Sequence, residues 1–218
     1  MNYTETEVIE NYNKFIAFIK LNFSGARLTK LLELYGDKGY GYIVSTSPAS
    51  AKDYTNNAFI GGYLNHVMTL CKASYGVKKV WESMGTVVDF TDEEMLFAAI
   101  NCGLGNLGDK DVGEYYLTQE NDWRVQNCGE VYKINTDLQY MTIADRSLFI
   151  LQQYEIACTW KEYLAIKLSA GLYNDGNKSY LQNFNKDMEI KTALPQLIHM
   201  AYMTAYRNEI DIEKQKNL

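Results

Sequence analysis

Histidine, proline and long apolar runs are all scarce in this chain of 218 residues. There are two His and two Pro. Two imidazoles are too few for a His-rich metal site or a multi-His proton relay. The longest apolar stretches, 95–100 and 148–151, are far too short to span a bilayer, so no membrane association is expected. Basic residues are outnumbered, with 21 Lys+Arg against 27 Asp+Glu, a formal charge of -6 and a pI near 5.0. That balance excludes a general affinity for nucleic acid, which needs clustered cations to neutralise phosphates. The short clusters Lys78-Lys79 and Lys214–Lys216 read as a solvated helix face and a frayed end. Four cysteines, Cys71, Cys102, Cys128 and Cys158, form no C-x-x-C pair and read as free thiols packed as small hydrophobes. The opening stretch MNYTETEVIE has neither a basic n-region nor an apolar h-region. No signal peptide is therefore expected, and the protein is placed in the cytoplasm.

What is present is a mostly α sequence. Apolar residues make up 47% and charged residues 22%, an ordinary globular balance. Neither a repeat nor a Pro/Gly/Ser linker divides the chain, so 1–218 reads as one domain. Val8, Ile9, Tyr12, Phe15, Ile16 and Ile19 recur at helical spacing and predict a helix over 5–22. It opens on Thr4 and Glu7, a capping-box pair. Thr91/Glu94, Thr159/Glu162 and the acidic variant Thr142/Asp145 repeat the pattern and predict helices over 92–102, 160–170 and 143–156. Further helices are expected over 58–84 and 188–208, the latter with Pro195 in its first turn and the helix proper starting near Leu194. Residues 115–118 and 130–134 flank a polar, Gly-containing segment and predict a β-hairpin. The expected architecture is a helical bundle with one small β excursion.

Several stretches, taken together, resemble a known family. Ser47-Pro48-Ala49-Ser50, followed by Gly61-Gly62-Tyr63-Leu64-Asn65-His66, is similar to the "SPAS…GGLxxH" entry segment of bacteriophage HD-domain hydrolases. Tyr132-Lys133-Ile134-Asn135 resembles the "YKVN" strand after their hairpin, and the run from Arg146 to Tyr154 resembles their "KSxxLIQxF" helix. Leu164-Ala165-Ile166-Lys167 with Gly171 looks like "LAIRWHMGG", and His199 to Met203 looks like "HxADM". These matches are collinear over about 45–206, the HD-like core, with N-terminal helices over 1–40 before it and a tail over 207–218 after it.

The resemblance implies a metal-dependent phosphohydrolase fold from which the metal has been lost. The segment corresponding to "HDLGKIGD" runs Cys102-Gly103-Leu104-Gly105-Asn106-Leu107-Gly108-Asp109, so the His-Asp pair has become Cys-Gly. His66 keeps the family's first ligand position, and the late Asp is Tyr202. The family's other histidines fall near Thr142 or Ile143 and on Ser169. Glycine offers a metal nothing, and a phenol would need deprotonation from a pKa of about 10. One His and one potential thiolate are too few donors, so neither metal nor other cofactor is expected. A rebuilt zinc site from His66, Cys102 and Cys128, or a Cys102–His66 nucleophilic pair, stands beside a plain reading of packed thiols and a buried imidazole. His199 reads as packed within its helix, and no nucleophile elbow accompanies either histidine. Gly103, Gly105 and Gly108 have G-x-G-x-x-G spacing without the strand such a phosphate cradle needs, and the last two read as turn glycines.

The expectation is a catalytically inactive HD-fold phage protein, located in the host cytoplasm. It would act as a binding or regulatory module whose old pocket, around His66, Cys102 and Tyr202, holds a nucleotide or other phosphorylated small molecule. Lys52 and Lys167 lie where the family carries basic residues, and each reads either as a phosphate partner or as a surface lysine. The alternatives are a structural or interaction protein that docks a host or viral partner through the hairpin and Trp123, and a residual hydrolase.

Overall fold

The computed structural model describes residues 3–53, 57–182 and 185–216. Ten α-helices lie among them: α1 (Glu5–Asn22), α2 (Gly25–Leu34), α3 (Gly41–Thr46), α4 (Gly62–Ser83), α5 (Asp92–Asn101), α6 (Asp122–Cys128), α7 (Ile143–Gln153), α8 (Trp160–Lys167), α9 (Lys178–Leu181) and α10 (Leu194–Lys216). A single antiparallel pair, β1 (Tyr116–Thr118) and β2 (Tyr132–Ile134), is the sheet among the described residues, with Tyr116 opposite Ile134 and Thr118 opposite Tyr132. No described helix is long and apolar enough to cross a membrane. The fold is therefore mostly α with a small hairpin.

The caps set these boundaries. Thr4, Thr91 and Thr159 each accept the N–H of the glutamate three residues on, and each glutamate carboxylate reaches back to the cap N–H, satisfying two donors at each helix start. Thr142 accepts the Asp145 N–H at 3.1 Å, but the shorter Asp145 takes the Thr142 hydroxyl, at 2.7 Å, in place of the backbone. Four helices end or begin differently from the sequence expectation. α4 starts at Gly62, because Gly61 turns the chain through a left-handed φ of 82°. α7 stops at Gln153, ahead of Glu155 at φ 54°, and α8 stops at Lys167, ahead of Gly171 at φ 54°. α10 does begin at Leu194 with Pro195 in its first turn, but it continues to Lys216. The stretch read as a tail, 207–218, is thus helical as far as it is described. Between the hairpin strands the polar segment folds into α6, capped by Asn121 and ended by Gly129 at φ 60°.

α4 and α10 form the spine of the molecule, with α5 and α8 packed on them. Ala201 and Ala205 on α10 are fully buried, and their small side chains let the helix lie close to its neighbours. Leu70 of α4, Phe97 and Ile100 of α5, Ile166 of α8 and Ile198 of α10 fill the centre. Arg27 on α2 clamps α8, donating to both carboxylate oxygens of the fully buried Glu162 at 2.6 and 3.1 Å. α7 packs on the short 3-10 turn Leu104–Leu107 that follows α5. That contact positions the candidate site.

Candidate functional site

The turn after α5 is built by two constraints. The Ser147 hydroxyl on α7 accepts the Gly105 N–H at 2.8 Å. A Cβ at Gly105 would lie 2.3 Å from the Ile143 carbonyl oxygen, so only glycine lets the turn approach α7 this closely. Gly108 then reverses the chain at φ 87°. Both are turn glycines, and the element that leads into them is helix α5, not a strand.

This arrangement opens a cavity of about 680 Å³ whose wall draws on distant parts of the chain. Ala49 and Ser50, Cys102 and Gly103, Thr142 and Ile143, Ser169, and Tyr202 all line it. Those are the positions singled out by five separate sequence segments, spread over more than 150 residues. The rest of the wall is aromatic and amide-rich. Tyr115, Tyr116, Tyr140 and Tyr173 join Tyr202, with Asn106, Asn174 and Asp175 among the polar groups. Tyr115 and Tyr116 pack edge to face at 5.0 Å.

The expected site residues divide into those the fold gathers and those it does not. Cys102 and Tyr202 face the cavity. His66 stands one layer behind, its ring edge-on to that of Tyr202 with centroids 5.2 Å apart. Lys52 and Lys167 do not line it. Lys52 lies 3.7 Å from Glu130 in a separate groove beside the hairpin, and Lys167 is paired with Asp145 on α7. Each lysine is held by a carboxylate beyond the cavity wall, a pairing that alignment of short motifs does not reveal. Trp123 is 65% exposed on α6 and also stands apart from it.

The residues at the family's ligand positions do not fit a metal. Burial pushes the Cys102 thiol up to about 12, and that thiol donates to the Ala99 carbonyl at 3.6 Å. Burial, reinforced by the negative charge that Cys102 and Glu209 would carry, likewise pushes the Tyr202 phenol up to about 12. Gly103 supplies no donor. Among the described residues no group of three or more His, Cys, Asp or Glu is arranged to hold a metal ion. The same burial makes Cys102 a poor nucleophile, since the thiolate is the reactive form. His199 reaches beyond its own helix: its Nδ1–H donates to the Ser169 carbonyl, just after α8, at 2.8 Å.

No family model, curated protein or solved structure matches the chain. The site must be judged on its own geometry.

Three residues that sequence reasoning passed over belong to this neighbourhood. Glu209 on α10 is 3% exposed and holds His66 Nδ1 at 3.0 and 3.1 Å from its two oxygens. Its signal was hidden in a stretch read as a polar tail. Tyr63 stands where the family segment has Leu. Its ring lies 3.7 Å from where a Cβ on Gly103 would be, and its hydroxyl is buried without a hydrogen-bond partner. Arg146 is 5% exposed, with its guanidinium 6.0 Å from the ring centroid of Tyr115, a hydrogen bond to the Gln139 carbonyl at 2.6 Å and no paired carboxylate among the described residues. An amphipathic pattern that places Arg146 on a buried face was the available clue.

Proposed function

We propose that the chain is a catalytically inactive relative of the HD-domain hydrolases, and that its cavity binds a nucleoside-type small molecule without cleaving it. The observation that carries this reading is convergence. Segments matched independently to the family, including the Cys102-Gly103 pair and Tyr202, line one cavity. Inactivity rests on the chemistry of the donors, because a glycine, a neutral phenol and a protonated thiol cannot supply a metal-bound hydroxide.

The wall favours a planar, polar ligand. Tyrosine rings offer stacking surfaces, and amides and hydroxyls offer hydrogen bonds to a base or sugar edge. No lysine or arginine among the described residues lines the cavity, so a phosphate would gain little there. Arg146 lies 6.0 Å from the ring centroid of Tyr115, and Lys178 is paired with Asp175 of the wall. A nucleoside and its monophosphate should therefore bind within a few-fold of each other.

Thermal shift and calorimetry with nucleosides, nucleotides and cyclic nucleotides test this directly. Gly103→Leu is the informative variant, since Gly103 lines the cavity and a Cβ there meets only ordinary contacts at 3.7 Å. Binding should disappear in that variant while its melting temperature holds. A flat screen removes the binding reading. Stoichiometric metal in the purified protein, with phosphatase activity lost in His66→Ala, overturns the inactive one.

A further inference from the structure

The cavity is lined by two kinds of tyrosine. Tyr115 and Tyr116 pack on each other, and Tyr202 packs on His66, so those three rings are already engaged. Tyr140 and Tyr173 line the same cavity but are 83% and 81% exposed. Among the described residues neither ring packs on another aromatic ring, and neither hydroxyl makes a hydrogen bond. They stand on separate stretches of chain, Tyr140 between β2 and α7 and Tyr173 on the 3-10 turn Gly171–Tyr173 after α8.

The backbone beneath each ring is anchored although the ring is free. One residue before Tyr140, the Gln139 carbonyl accepts from the buried Arg146 at 2.6 Å. Two residues before Tyr173, the Gly171 carbonyl accepts from Nδ2 of the fully buried Asn177 at 2.9 Å. A tyrosine on a fixed backbone has only two side-chain torsions to settle, so holding it against a ligand costs little entropy. Both rings keep apolar faces in water that a planar group entering the cavity would cover.

We propose that Tyr140 and Tyr173 are the specificity-determining residues of this cavity, stacking on an aromatic base and selecting purines over pyrimidines. The two-ring base offers the larger face, so it gains more from each tyrosine. This inference rests on the nucleoside reading of the cavity and adds to it the residues that grip the base.

Calorimetry of the full chain with purine and pyrimidine nucleosides is the test. Purine nucleosides should bind the parent more tightly. Tyr140→Leu and Tyr173→Leu should each weaken them about fivefold or more, the usual scale of losing a base-stacking ring, and should narrow the gap to pyrimidines. Their melting temperatures should hold, because both side chains are exposed. Tyr140→Phe and Tyr173→Phe keep the ring and should recover most of the affinity. Tyr42→Leu serves as the control, since Tyr42 is 72% exposed but lies outside the cavity, and it should bind like the parent. If the double leucine variant binds purine nucleosides as tightly as the parent does, the proposal fails while the nucleoside reading stands. Equal losses in the leucine and phenylalanine variants would assign the grip to the hydroxyls and also overturn it. No nucleoside bound by the parent overturns both readings.

Discussion

Cys102 and Cys71 are 3% and 2% exposed, and burial raises both thiols, Cys102 to about 12. At neutral pH each is almost wholly protonated, so neither attacks an electrophile nor coordinates a cation readily. Cys128 is only half-buried, on the surface helix α6. Brief alkylation of the native protein with iodoacetamide, mapped by mass spectrometry, should therefore modify Cys128 first. Cys102 and Cys71 should stay unmodified until denaturant is added. Rapid native labelling of Cys102 would reinstate a nucleophilic role for it. Glu162 makes a related point about burial: its carboxylate sits in the core, where burial raises its pKa against the opposing pull of the Thr159 N–H and Arg27. Its role is to hold a helix cap and α2 together, not to react.

At the scale of elements, glycines and caps carry much of the fold. Gly171 follows α8 at φ 54°, and a Cβ there would lie 2.4 Å from His199 Cε1. Gly171→Ala would meet two penalties, the left-handed backbone and the collision with the imidazole. The first costs about 1–2 kcal/mol, and overpacking adds about 1–3 kcal/mol. In a His199→Ala background the collision is removed, so the same substitution should cost only the backbone part. Urea denaturation of the four proteins in this cycle separates the terms, and equal costs in both backgrounds would show that His199 does not confine Gly171. Helices announced by a cap and a periodic apolar face, such as α1 and α5, were legible because local and tertiary forces agree there. α6 was not, since none of its residues is buried and no periodicity marks it. Glu209 was invisible for a different reason. Its partner His66 lies 143 residues away, and a polar helical turn alone does not say which carboxylate turns inward. The lysines failed likewise: motif spacing placed Lys52 and Lys167 near the cavity, but Glu130 and Asp145 decide where their charges rest.

For the molecule as a whole, the His66–Glu209 pair bears most directly on its proposed ancestry. Both Glu209 oxygens lie on His66 Nδ1, at 3.0 and 3.1 Å, so that nitrogen's N–H is the one turned toward the carboxylate. A carboxylate that fixes the tautomer of an imidazole in this way is the usual support behind a metal-ligating histidine. Under the proposed ancestry, the spine of α4 and α10 would retain a supported first ligand without its companions. Restoring them should recreate the site if the ancestry is right. Cys102→His, Gly103→Asp and Tyr202→Asp together would place two imidazoles and two carboxylates around one point. Tyr202 is already in ring contact with His66, and residues 102, 103 and 202 share one cavity wall. Equilibrium dialysis against Mn²⁺ should leave about one ion per chain on the triple variant and none on the parent. Glu209→Ala in the triple variant should then lower the affinity by about 10- to 100-fold, the usual effect of removing such a support. A triple variant with unchanged circular dichroism that retains no metal would refute the descent from a metal-dependent hydrolase, because the bundle would then hold these positions at distances no ion can bridge.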